Sequence, residues 1–163
     1  MSVAKIVSLE ELADIRIHYR QADHAMVFTN GCFDLLHVGH VRYLQSARAL
    51  GEALIVAVNG DGSVRALKGP SRPINSEDDR AEVLAALSCV SYVVIFHTPR
   101  VTDVIRSVRP DIYVKGGDYT VDSLDPNEVA ALRESGCEIR ILPLEPGKST
   151  TSILQAVRDK PEH

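Results

Sequence analysis

The sequence predicts an α/β protein, a doubly wound three-layer sandwich built on a mainly parallel sheet of about five strands. Three observations predict it. Five short β-rich apolar runs recur along the chain, helical patterns fill the gaps between them, and the runs are continuously apolar rather than alternating. Continuous apolarity is what a parallel sheet covered on both faces demands, because neither side of its strands meets water. Strand-helix-strand alternation with right-handed crossovers places helices on both faces. It also places ligands beyond the carboxyl ends of the strands, near a switch in strand order.

The elements follow in order. Ser8 with Glu11 forms a capping-box pattern that opens a short leading helix over about 8–21. The first strand spans Ala25 to Thr29. Between Gly39 and Gly51, Val41, Leu44, Ala47 and Leu50 recur at helical spacing. The second strand spans Ala53 to Val58, and Ser76 with Asp79 is a weaker cap for another helix. Tyr92 to Phe96 and Asp111 to Lys115 supply the third and fourth strands. Asp125-Pro126 reads as an N-cap with a first-turn proline, and Gly136 as the stop of that helix. Glu138 to Leu142 is the fifth strand, and a last helix follows Ser149. The chain is expected to be a single domain over 1–163 with a frayed tail over about 159–163.

Composition narrows the function classes. At 163 residues, with 45% hydrophobic and 25% charged residues, the chain suits one globular core and not a disordered or fibrous protein. The net charge of −4 gives no long-range attraction for nucleic acid or an anionic membrane, so an anion site must be built locally. Neither a signal-peptide pattern at the start nor an apolar run of membrane-spanning length occurs, which leads to an expectation of a cytoplasmic location. Cys32, Cys89 and Cys137 are odd in number and lack a C-x-x-C pair, so neither a disulfide framework nor a cysteine zinc site is expected.

Four segments carry the candidate chemistry, all just after strands or at a helix start. The first, Thr29-Asn30-Gly31-Cys32-Phe33-Asp34-Leu35-Leu36-His37-Val38-Gly39-His40, runs from a strand into a helix. Gly31 allows a tight turn that frees backbone N–H groups for an anion, and Gly39 allows close approach at the helix opening. His37 and His40, three residues apart, fall on one side of the first helical turn and aim at one pocket. A metal fragment or a purely structural pair is the alternative, and no further ligand cluster supports the metal, so no metal ligands are assigned.

The second segment, Pro146-Gly147-Lys148-Ser149-Thr150-Thr151-Ser152-Ile153, imitates a P-loop. It fails because Leu142 stands where that motif needs glycine. Its hydroxyls at a helix start can hold phosphate oxygens, with an ordinary N-cap as the alternative. The third is Tyr113-Val114-Lys115-Gly116-Gly117-Asp118-Tyr119, where Lys115 can neutralise phosphate and Asp118 can accept from sugar hydroxyls, or the whole can be a plain loop. The fourth runs from Lys68 to Arg80 and carries Lys68, Arg72 and Arg80 in an otherwise acidic chain, with a solvated loop as its alternative.

Taken together, His-x-Gly-His and Ser-Thr-Thr-Ser-Ile resemble the cytidylyltransferase-like branch of the nucleotidyltransferases. Within that branch the runs Phe28 to His40, Arg72 to Arg80 and Val114 to Tyr119 are similar to the heptose 1-phosphate adenylyltransferases, and the likeness extends from about Ile6 to Val157. The resemblance implies a Rossmann-like fold, ATP as substrate with Mg²⁺, and transfer of the adenylyl group to D-glycero-β-D-manno-heptose 1-phosphate for lipopolysaccharide or surface glycan synthesis. It implies catalytic roles for His37, His40, Lys68 and Lys115, and nucleotide contacts from Asn30, Gly31, Cys32, Phe33, Gly39, Ser149, Thr150 and Thr151. It places Asp34, Arg72, Asp118 and Tyr119 towards the acceptor, with a structural role for Arg72 left open. A separate heptose 7-phosphate kinase would supply the acceptor, and a dimer or larger homo-oligomer is expected. Glycerol-3-phosphate cytidylyltransferases share both motifs but typically carry Arg-Thr-Glu-Gly where this chain has Leu144-Glu145-Pro146-Gly147, so ATP is favoured over CTP. A nucleotide-binding regulator without turnover is the alternative of a different class.

Overall fold

The computed structural model describes residues 5–117 and 119–160. Its elements are α1 (Leu9–Gln21), β1 (Met26–Gly31), α2 (Val38–Arg48), β2 (Ala53–Asn59), α3 (Asp61–Lys68), α4 (Glu77–Ala85), β3 (Tyr92–Phe96), α5 (Thr102–Val108), β4 (Ile112–Gly116), α6 (Pro126–Glu134), β5 (Glu138–Leu142) and α7 (Thr150–Arg158), with a 3-10 turn at Val121–Ser123. The strands form one sheet in the order β3-β2-β1-β4-β5, and every pair is parallel.

Side-chain alternation along the strands feeds two cores. Met26, Phe28, Ile55, Phe96 and Tyr113 face the α1, α5 and α6 side, where they pack with Leu12, Ile105 and Leu132. Val27, Leu54, Val56, Val58 and Val114 face the other side and meet Leu44, Ala47, Ala81 and Leu84 of α2 and α4. All seven residues of β2 are buried, which is why that run shows no polar alternation. Each fully buried aliphatic or aromatic side chain contributes about 1.5–3 kcal/mol.

The chain leaves β1 towards β2 and β3 on one side and later returns to place β4 and β5 on the other. This reversal opens a crevice at the carboxyl ends of β1 and β4, the place where open α/β sheets bind ligands. Compared with expectation, β1 extends to Gly31, so Asn30 and Gly31 close the strand and do not begin the loop. Helix α2 starts one residue earlier than expected, at Val38. Among the described residues, no helix is long and apolar enough to cross a membrane. The expected frayed tail falls largely on residues 161–163, which lie outside the described residues.

Candidate active site

The β1–α2 connection is braced before it reaches the histidines. Phe33 adopts φ +48°, a left-handed conformation that costs a bulky residue energy and persists only where its surroundings enforce it. Two buried clamps enforce it. Arg80, 2% exposed, donates to the carbonyls of Cys32 and Asn59 at 2.7 Å each, to that of Asn75 at 3.1 Å and to Asp61 Oδ1 at 2.9 Å. Asp34 accepts from Arg72 Nε at 2.8 Å and from the N–H groups of Ile74 and Asn75 at 2.9 Å, while Asn75 Nδ2 donates to the Asp34 carbonyl at 2.7 Å. Burial pushes the Asp34 pKa up, but the Asn75 and Ile74 amides and the Arg72 guanidinium outweigh it and hold the carboxyl below its ordinary value. Asp34 and Arg72, expected near the acceptor, are thus joined to each other in a loop clamp.

The histidine pair doubles as the cap of α2. His37 is the N-cap in extended conformation, and its Nδ1 accepts from the Gly39 N–H at 3.1 Å. His40 Nδ1 accepts in turn from the His37 N–H at 3.3 Å. With both Nδ1 atoms accepting, each neutral ring carries its proton on Nε2, where it can donate to an anion. The ring centroids are 4.0 Å apart, and the Phe33 ring lies 5.7 Å from that of His40. Gly39 is required here, because a Cβ would meet the His37 ring at 2.8 Å and Lys148 Cβ at 3.2 Å. Burial, then the His37 and Lys68 charges, lower the His40 pKa to about 4; burial and Lys148 lower that of His37. Two neutral donors therefore face an incoming phosphate.

The distant Ser-Thr segment meets this pair. Ser149 caps α7 by accepting from Ser152 N–H at 3.1 Å, and Thr150 Oγ1 donates to the Leu35 carbonyl at 3.4 Å, tying α7 to the loop that leads to His37. His37, Gly39, His40, Lys148, Ser149 and Thr150, with Leu144 and Glu145, line one cavity of about 180 Å³. The N-termini of α2 and α7, each with partial positive charge and free N–H groups, converge on it. Thr151 is exposed and outside this lining.

A second cavity of about 400 Å³ opens at the carboxyl ends of β1 to β4 and collects Asn30, Gly31, Cys32, Lys68, Lys115 and Tyr119, together with Asn59, Arg100, Asp125 and Glu128. Lys68 links the two cavities, since it lines this one while its charge reaches His40. Lys115 lies 5.0 Å from the centroid of the Tyr119 ring; burial lowers its pKa, and Glu128 and Cys32 oppose that shift. Burial pushes the Cys32 thiol pKa up, so it stays protonated and is no nucleophile. Asn30 Oδ1 accepts from the Tyr113 hydroxyl at 2.8 Å, which fixes its side chain. Asp118 lies outside the described residues. A further concavity of about 590 Å³ beside α4 contains neither histidine, neither lysine and none of the Ser-Thr segment. Among the described residues, no three His, Cys, Asp or Glu side chains gather as metal ligands.

The sequence places Arg80 in a basic loop and helix start without assigning it a role, and it does not single out Glu128. The structure makes the first a buried clamp and the second a cavity wall. A usable signal existed for Glu128: Asp125-Pro126 fixes the start of α6, which puts Glu128 in the first turn, at the ligand-facing edge of the sheet.

A family model described as cytidylyltransferase-like matches residues 28–156. The chain is 47% identical over 159 residues to the bifunctional protein HldE of Syntrophotalea carbinolica, covering 98% of this chain and 32% of that one. It is 50% identical over 153 residues to the HldE of Methylococcus capsulatus, covering 94% and 32%. The chain thus spans about a third of the length of these relatives. A crystal structure of a lipopolysaccharide core biosynthesis protein from Thermoplasma volcanium superposes with a TM-score of 0.62 at 28% identity, covering 75% of this chain and 97% of that one. Pantoate-β-alanine ligase from Francisella tularensis, at 14% identity, shares the fold with a TM-score of 0.60 over 96% of this chain and 77% of that one. With its paired imidazoles and hydroxyl-bearing helix start around one cavity, and with a family match over most of its length, this chain belongs to the cytidylyltransferase-like family of nucleotidyltransferases.

Proposed function

We propose that this chain transfers the adenylyl group of ATP to D-glycero-β-D-manno-heptose 1-phosphate, giving ADP-heptose and pyrophosphate for lipopolysaccharide or surface glycan synthesis. The observation that carries the reading is the convergence of His37, His40, Ser149 and Thr150 on one small cavity beside a larger one bearing Lys68 and Lys115. The small cavity suits a phosphate chain, and the large one suits a sugar phosphate. A kinase acting at C1 of a heptose 7-phosphate, followed by hydrolysis of the 7-phosphate, would supply the acceptor.

The acceptor's phosphate is already an oxygen nucleophile at neutral pH, so no covalent enzyme intermediate is needed. An acceptor oxygen bonds to the α-phosphorus as the bond to the β-phosphate bridging oxygen breaks, and pyrophosphate leaves with that oxygen. The obstacle is repulsion between two anions, and charge placed in advance offsets it. Lys68 and Lys115 neutralise the acceptor, while the Nε2–H groups of His37 and His40 and the two helix starts stabilise charge on the triphosphate. Mg²⁺ would enter with the triphosphate, held chiefly by phosphate oxygens and water. The cavity's own donors fit that role and not a protein cage, since Glu145 is paired with Arg42 at 3.1 Å.

Mixing the protein with ATP and heptose 1-phosphate should release pyrophosphate at a rate that depends on both. Replacing ATP by CTP and the sugar by glycerol 3-phosphate should not. Binding of ATP with no pyrophosphate formed, or preference for the cytidylyl pair, defeats the reading.

A further inference from the structure

We propose that Glu128 is the acceptor-selecting residue: its carboxylate accepts hydrogen bonds from the hydroxyls of the sugar phosphate, so the second cavity favours a polyhydroxylated phosphate over phosphate alone. The inference rests on the functional reading above and adds the group that would recognise the sugar.

The argument begins with charge. Phosphate binding explains Lys68 and Lys115 but not a half-buried carboxylate in the same cavity, which repels phosphate. Glu128 makes no ion pair within 4.0 Å among the described residues, although the Lys115 charge reaches it. It is therefore not simply the structural partner of that lysine. Two other candidate acceptors in the cavity, Asp125 and Asn30, are committed. Asp125 is paired with Arg100 at 2.6 Å and caps the N–H groups of Asn127 and Glu128 at 2.9 and 3.3 Å. Asn30 Oδ1 is held by Tyr113. The same cap fixes the first turn of α6, so the Glu128 backbone is rigid beneath its side chain. A cavity of about 400 Å³ is also far larger than a phosphate group requires, and Glu128 is part of its wall. The Val101 N–H and the Lys115 and Arg100 charges support the Glu128 carboxylate without an ion pair, and sugar hydroxyls are the donors suited to its remaining lone pairs.

The test compares wild type with Glu128→Ala and Glu128→Gln, using heptose 1-phosphate and inorganic phosphate as separate probes in calorimetric titrations and in the pyrophosphate assay. For Glu128→Ala the Kd and KM of heptose 1-phosphate should rise about tenfold or more, the loss of a hydrogen bond to a charged group. The KM for ATP should stay within about twofold. Inorganic phosphate should bind equally well or about two- to threefold tighter, because a repelling charge is gone. Glu128→Gln, which keeps an acceptor oxygen and the side-chain shape, should show a smaller rise and guards against a folding defect. Parallel weakening of both probes would mean that Glu128 acts only by arranging Lys115, and unchanged sugar phosphate affinity would mean that it plays no part; either overturns the inference. A wild-type chain that binds heptose 1-phosphate without releasing pyrophosphate defeats the functional reading and leaves this comparison intact. One that does not bind it defeats both.

Discussion

The two helix starts that face the phosphate cavity are built differently. At α2 the imidazoles are held by peptide N–H groups of their own turn, and the loop behind them is clamped by Asp34 and by the buried Arg80. At α7 none of the nine residues is buried, and among the described residues its side-chain hydrogen bond to the body is Thr150–Leu35, with the Arg42–Glu145 ion pair in the preceding loop. A helix this short is marginal in water on its own. One half of the cradle is fixed by buried hydrogen bonds, and the other rests on an exposed helix with few ties. Preorganised donors act at the moment of reaction, whereas loosely held ones contribute to binding.

Three experiments break or sharpen that contrast. The largest expected effect is on turnover: His37→Ala or His40→Ala should lower kcat by about 10²- to 10³-fold, or about 3–4 kcal/mol, with folding retained. Thr150→Val should cost only about tenfold, mostly in KM for ATP, a loss near 1.4 kcal/mol. Equal losses in kcat would erase the distinction between the halves. The next effect is on the fold. Arg80→Ala strips its contacts from the Cys32, Asn59 and Asn75 carbonyls and from Asp61, and should cost about 3 kcal/mol. Thermal melts should then fall by roughly 6–12 °C; an unchanged midpoint would show that the β1–α2 loop is not held in advance.

The smallest effect is on pH dependence. The His40 pKa is about 4 in the folded chain against an ordinary 6.5. Between these values the unfolded chain binds a proton that the folded chain does not, so stability rises with pH across that window. The contribution is complete above 6.5 and fades as pH falls towards 4. Urea midpoints should drop between pH 7 and 5, and His40→Asn should flatten that slope.

Much of this was legible in the letters, for physical reasons that differ by element. The strand runs Tyr92–Phe96 and Glu138–Leu142 match observation residue for residue, and the others shift by a residue or two at their ends. Helices α1, α4, α6 and α7 carry side-chain caps at Ser8, Ser76, Asp125 and Ser149, which announce them. Helices α3 and α5 have Gly60 and Val101 as N-caps, with no side-chain cap hydrogen bond, so nothing local marks their starts. In the site, His37, His40, Ser149 and Thr150 were recoverable because their spacing and place in the strand-helix order bring them together. The clamp pairing of Asp34 with Arg72 and the burial of Arg80 were not, although a structural role for Arg72 is open in the sequence, because a charge in a polar loop gives no sign that another loop, about 40 residues away along the chain, will bury it.

The reciprocal capping of His37 and His40 means that the donor pair carries its own alignment within four consecutive residues. A substitution elsewhere that tilts α2 as a rod moves both donors together and preserves their spacing. Such a module can be re-aimed at a differently placed nucleotide or acceptor without being dismantled, so diversification is free to proceed in the surrounding cavity walls while the donors travel as one piece.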